Sequence, residues 1–226
     1  NTERRWKALQ TSAMFDAIHY GTAVYRNELA KRLREFGYTL QRTGPAFEIE
    51  GVSPMLIDRF SKRSKERDAA VVRAEQRLGR KLTHNEIAHV VHQTRPKKLK
   101  GASEKQVRQQ QLGEIGFFEK RALRKVVEAA NGQPRVMYPV TIDEAVDHGV
   151  QHVFERQSVV RQHQLLEAAL VKGCGQLDLS QLKNKLAGRN ELVRVGAEFS
   201  TRDILSKELL LIRMVNAGLD TVAPIS

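Results

Sequence analysis

Cysteine is nearly missing. Cys174 stands alone, so no disulfide can form within the chain, and a single thiol in Gly173-Cys174-Gly175 suits a reducing, cytoplasmic setting. Long apolar runs are missing as well. No stretch approaches the roughly 18–20 apolar residues that a membrane-spanning helix needs, and no signal peptide is evident, so membrane insertion is not expected. No segment fits a glycine-rich phosphate loop ending in Gly-Lys-Ser/Thr, which leaves ATP without a recognisable cradle. No serine sits in a nucleophile-elbow context, and Cys174 has no evident histidine partner. His84, His89 and His92 fall on or near one short segment, and His148 and His152 are spaced i, i+4. The latter pair lacks the intervening glutamate and third ligand of a zinc helix, so these histidines read as surface or partly packed residues. With no acid, base, nucleophile or metal set assembled, catalysis by the chain alone ranks last among its functions.

Positive charge is plentiful. Thirty-eight Lys and Arg against 26 Asp and Glu leave the 226-residue chain at +12. Such a balance favours polyanionic partners, nucleic acid before acidic lipid, because bound cationic side chains release the counterions condensed on phosphates. Hydrophobic residues at 41% suffice for one large or two small folded units.

The pattern predicts a mainly α fold with small antiparallel β-hairpins. An amphipathic helix over residues 22–36 turns Val24, Leu29, Leu33 and Phe36 to one side and ends at Gly37. Two short alternating runs, 38–42 and 46–50, join through Thr43-Gly44-Pro45 as a hairpin. Ser53-Pro54 opens a further helix. From Arg59 to Lys81, nine basic residues outnumber three acidic ones with few large apolar side chains between them, which describes a solvated helix. Capping-box patterns at Thr83 and Ser103 predict helices to about Gln93 and to Ala130, the second with Leu112, Ile115, Phe118, Leu123, Val126 and Val127 as its buried stripe. Asn131-Gly132-Gln133-Pro134 marks the best domain boundary. Beyond it come helices at about 141–155, 161–172 and 178–188, strands at 192–195 and 198–200, and a last helix from about 201 to 216. Helix, glycine turn, helix and tight hairpin is a winged-helix order, so the C-terminal half is expected to be winged-helix-like from about 151.

Three clusters carry the candidate nucleic-acid contacts. Lys62, Arg63, Lys65 and Arg67 crowd the start of the long basic helix, and Arg95, Lys97, Lys98 and Lys100 crowd a loop. On the second helix of the winged-helix candidate, Leu179, Leu182 and Leu186 form the inner stripe and leave Lys183, Lys185 and Arg189 outward, with Arg194 on the following strand. Each such cation that meets a phosphate adds roughly 0.7 (single strand) to 0.9 (duplex) to the slope with which binding weakens in salt.

One ordered series goes further. Arg5-Trp6-Lys7-Ala8-Leu9, then Tyr20, Tyr25-Arg26-Asn27-Glu28-Leu29-Ala30, Gly37-Tyr38, Phe47-Glu48-Ile49-Glu50-Gly51-Val52 and Phe60-Ser61-Lys62-Arg63 resembles the conjugative relaxase–helicase family of the TrwC/TraI type. Thr94-Arg95 with Lys97-Lys98 is similar to the segment after the relaxase core. Ala145 to Arg156, Ser158-Val159, Leu165-Leu166, Ala168-Ala169-Leu170, Ser200-Thr201-Arg202-Asp203 and Glu208 look like the opening of the helicase half. The resemblance implies residues 1–133 as the end of a relaxase-like domain and 134–226 as the leading accessory region of a helicase. It implies DNA, single-stranded or at a transfer origin, as the partner, in a bacterial cytoplasm.

The family nicks one strand with an N-terminal tyrosine and a divalent metal held by three histidines, and unwinds DNA with ATP. Those parts have no counterpart in this sequence, so no cofactor is expected in the chain itself, which starts with Asn1 as an internal piece would. Family relaxases are exported with their DNA through a type IV secretion channel. A module read by the coupling protein is therefore a second expectation, and a stand-alone winged-helix DNA-binding regulator a third.

Overall fold

The structure, a computed structural model, describes residues 11–94, 101, 103–130 and 139–219. It is mainly helical with two small antiparallel sheets. The chain begins with α1 (Ser12–Asp16) and α2 (Ile18–Glu35), followed by β1 (Leu40–Thr43) and β2 (Ala46–Ile49). Next come α3 (Pro54–Phe60), α4 (Lys62–Leu78), α5 (His84–Gln93), α6 (Glu104–Gly113) and α7 (Phe117–Ala130). The remainder is α8 (Ile142–Phe154), β3 (Val160–Arg161), α9 (Gln162–Lys172), α10 (Leu179–Ala187), β4 (Leu192–Val195), β5 (Glu198–Thr201) and α11 (Arg202–Gly218).

Local chemistry sets many of these boundaries. Thr83, Ser103 and Thr141 each accept from the N3 backbone while the N3 side chain, Glu86, Gln106 or Glu144, closes the capping box. Ser53 and Asp178 cap α3 and α10. Gly79 ends α4 at φ +66°, in the left-handed region where a side chain would be strained.

Packing divides the chain into two units, one formed by Asn1–Glu48 with Ala130–Ser226, the other by Ile49–Ala129. In the first, α8 packs on α9, α2 packs on the same helix, and α10 lies against α8. The three-stranded sheet has order β3-β5-β4, with Val160 opposite Phe199 and Arg194 opposite Phe199 on its two sides. Val146, Val160, Leu165, Leu170, Leu177, Leu182 and Phe199 fill the core. α8 and α9 approach so closely that a Cβ on Gly149 would stand 2.7 Å from the Leu165 carbonyl oxygen.

The α2 face differs from the one its large residues predict. Ala23, Asn27 and Ala30 are buried, whereas Leu29 and Phe36 are exposed. Small side chains let the α2 backbone come close, and Gly175, at φ +77°, sits where a Cβ would meet Ala30 Cβ at 2.6 Å. Periodicity alone favours the bulkiest stripe, and close approach favours the smallest. The helix also starts four residues earlier than expected, and β3 adds a two-residue strand that alternation over longer windows cannot register.

The second unit has a thin core. Among its described residues, Leu56 and Ala70 are the buried apolar side chains. The helix expected over 103–130 is two helices, interrupted at Glu114-Ile115-Gly116. Glu119 Oε2 accepts from the Gly116 N–H at 2.8 Å, and Arg59 donates to the Glu114 carbonyl oxygen at 3.0 Å and to Glu119 at 2.6 Å. These bonds satisfy the exposed ends that the break creates. The stripe expected to be buried is only partly so, with Leu112, Phe118 and Val127 exposed. The turn at 114–116 restarts the helical phase, so residues on either side of it no longer share a face.

Candidate nucleic-acid interface

The cations at the start of α4 all have partners inside their own unit. Lys62 Nζ lies 2.6 Å from Glu114 Oε2, Lys65 Nζ 2.5 Å from Asp58 Oδ2, and Arg67 Nη2 2.7 Å from Asp68 Oδ1. These pairs are about half exposed, so each contributes little to stability and phosphate can compete for the cation. Arg63 differs in kind. Its Nη2 donates to the Val91 carbonyl oxygen at 2.7 Å and its Nη1 to that of Thr94 at 3.0 Å, which satisfies carbonyls that α5 leaves open at its C-terminus. Arg95, Lys97, Lys98 and Lys100 lie outside the described residues.

On α10, Leu182 and Leu186 are buried and Leu179 partly so, as the spacing predicts. Lys185 turns outward and pairs with Asp143 at 2.6 Å, whereas Arg189, expected outward, lies past the end of α10, is largely covered and pairs with Asp147, both acids being on α8. Arg189 Nε also lies 2.8 Å from Glu191 Oε1, an ionic contact outside hydrogen-bond geometry. Arg194 donates to the Gly196 carbonyl oxygen at 2.8 Å and rests over the Phe199 ring, 5.6 Å from its centroid. Lys183 is exposed and has no hydrogen-bond or ion-pair partner among the described residues.

A further cluster emerges on α7. Lys120, Arg121, Arg124 and Lys125 are exposed, and among the described residues none has an ion-pair or hydrogen-bond partner. Phe117 and Phe118 stand exposed at the start of the same helix, their rings 5.7 Å apart and edge to face. The spacing i, i+1, i+4, i+5 of the four cations is readable in the sequence. Assigning Phe118 to the core hid the face they share.

Half-buried His148 and exposed His152 stack at 5.5 Å between ring centroids. Burial, with the nearby Lys172 charge, holds the His148 imidazole below its ordinary pKa. Burial likewise pushes the Cys174 thiol up, against the pull of Arg34 and other arginines.

The family model for TrwC relaxase matches residues 1–116. This chain belongs to the TrwC relaxase family. The match takes in α1 to α6 and ends one residue before α7. No curated protein and no solved structure matches the chain. Among the described residues, no group of three or more His, Cys, Asp or Glu side chains comes together in metal-holding geometry. The role of the chain is conjugative and relaxase-related, and no described helix is long and apolar enough to cross a membrane.

Proposed function

We propose that this TrwC-family chain is a DNA-holding and linking segment of a conjugative relaxase–helicase, acting in strand transfer at a transfer origin without catalysing the cut itself. The observation that carries this reading is the pairing of TrwC membership over 1–116 with exposed cations, on α7 and at Lys183, that have no partner among the described residues. In the parent enzyme the divalent metal and ATP belong to parts that this segment does not supply. Residues 1–133 would close the relaxase side and residues 134–226 would lead into the helicase. The sequence of α8, β3, α9, α10, β4 and β5, with sheet order β3-β5-β4, supports a winged-helix-like reading of the second part. Because Lys185 and Arg189 are paired with α8, Lys183 is the one of the three that stays exposed without a partner among the described residues.

Fluorescence anisotropy of a labelled single-stranded oligonucleotide with the full chain, across a salt series, tests the reading. Binding at low salt that weakens steeply as salt rises is expected. No binding at low salt, or binding indifferent to salt, overturns it.

One observation favours a second reading, docking to a type IV secretion coupling protein. α11 leaves Leu209, Leu210, Leu211, Ile212, Met214 and Val215 exposed, an apolar surface that suits protein more than DNA. Direct binding between the purified coupling protein and this chain, lost on charging Leu210 and Met214 but kept on neutralising α7, would support it.

A further inference from the structure

α7 faces two ways. Glu119, Leu123, Val126 and Ala130 make up its covered side, while the open one carries Phe117, Phe118, Lys120, Arg121, Arg124 and Lys125 with a single acid, Glu128, among them. At about 100° per residue, these open positions fall within an arc of about 160°. Both halves of this face are unfavourable when nothing covers them. Lys120 with Arg124, and Arg121 with Lys125, are like charges at i, i+4, which repel on a helix, and Glu128, one acid against four cations, offsets only part of that. Phe117 and Phe118 keep 76% and 81% of their surface in water. A ligand that relieves both must bring negative charge and flat apolar surface together.

Single-stranded DNA has that combination, since each nucleotide carries a phosphate and an unpaired base with two π faces. Duplex offers phosphates but keeps its base faces stacked. An anionic bilayer takes a continuous apolar stripe flanked by cations, and the apolar stripe of α7 is on its covered side.

We infer that this face of α7 is a single-strand contact, with Phe117 and Phe118 stacking on unpaired bases while Lys120, Arg121, Arg124 and Lys125 neutralise phosphates. It rests on the DNA-holding reading above and narrows it to one helix and one form of DNA. α7 begins just past the residues matched by TrwC, so the contact is an addition to the matched region.

The test uses the full chain with three fluorescent probes: a single-stranded oligonucleotide containing 2-aminopurine, the same backbone carrying abasic sites, and a duplex. Phe117→Leu and Phe118→Leu, singly and together, keep apolar bulk and remove the π face. The double variant is expected to bind the single strand roughly 10- to 100-fold more weakly. It should leave the salt slope, the abasic strand and the duplex unchanged, and abolish the quenching of 2-aminopurine on binding. Replacing all four cations by Gln should lower the salt slope by up to about 3. Both sets lie at exposed positions, and circular dichroism checks that they remain folded.

If the wild-type chain binds single strands and the Phe variants bind them equally well, this contact is overturned and the DNA-holding reading stands. If the wild-type chain binds no DNA, both fall. Binding of phosphatidylserine vesicles that is lost with the Phe variants, without any change in DNA binding, also overturns the contact in favour of a membrane surface.

Discussion

Asn27 and Gly175 lie 148 positions apart in the chain and are joined by a buried hydrogen bond, the Gly175 N–H donating to Asn27 Oδ1 at 2.8 Å. The other end of the same amide donates from Nδ2 to the Leu177 carbonyl oxygen at 2.9 Å. Asn27 is 1% exposed, so neither backbone group would find water if the amide were removed. Asn27→Ala should therefore cost about 2–4 kcal/mol, more than a cavity of its size alone. A lowered denaturant midpoint for the unit containing α2 and α9 checks this, and a change under about 1 kcal/mol would mean the amide is replaceable.

Two glycines in helices should respond in opposite directions. Gly149→Ala places a methyl 2.7 Å from a backbone oxygen of α9, which cannot rotate away, and should destabilise by about 1–3 kcal/mol. Gly21, on α2, has open space for 4 Å around the point where an alanine methyl would sit, and Gly21→Ala should stabilise by about 0.5–1 kcal/mol. Thermal melts of the two variants beside the parent chain measure both signs.

Arg63 and Arg121 separate folding from binding. Arg63→Gln removes two charge-assisted bonds to the end of α5 and should lower stability by about 1 kcal/mol, given its partial exposure. Its effect on the salt dependence of DNA binding should be small. Arg121→Gln should leave the melting temperature unchanged and reduce that slope by about 0.7. The opposite pattern would return Arg63 to the DNA contact.

Acid should leave the start of α5 intact longer than an ordinary carboxylate would allow. Hydrogen bonds from Arg80 and then Thr83 hold the Glu86 carboxyl down at about 2. Its folded value lies below the unfolded one, so the contribution is fully present above about pH 4.3. It is lost as pH falls through about 2. Glu144 and Asp178, also lowered by cap hydrogen bonds, act in the same direction at α8 and α10. Carboxyl carbon shifts followed by NMR from about pH 5 to about pH 1.5 check this, and a Glu86 midpoint near about 4 would contradict it.

Much of the fold was legible because caps are local. Thr83, Ser103, Thr141, Ser53 and Asp178 each act within three residues of themselves, so reading them needs no knowledge of the tertiary structure. The same holds for Leu182 and Leu186 on α10, whose apolar spacing matches their burial. The face of α2 was not legible, since Ala23 and Ala30 are inward only because α9 and the turn at Gly175 come close. The break before α7 depends on Arg59, some 55 residues away from Glu114 in sequence. The candidate interface divides similarly: nothing local in the sequence places Glu114 beside Lys62, or the Val91 and Thr94 carbonyls beside Arg63, and only the fold brings them there. For α7, charge spacing was visible but Phe118 matched an apolar period, and only exposure separates an inward phenylalanine from an outward one.

The packing of α2 on α9 has a consequence for how the protein is made. Between the end of one helix at Glu35 and the start of the other at Gln162 the ribosome must add well over a hundred residues, at about 5–20 residues per second. For roughly 6–25 seconds of synthesis, then, the nascent α2 waits with its inner side uncovered while the whole intervening unit emerges. During that interval the uncovered side of α2 is open to chaperone capture or premature collapse.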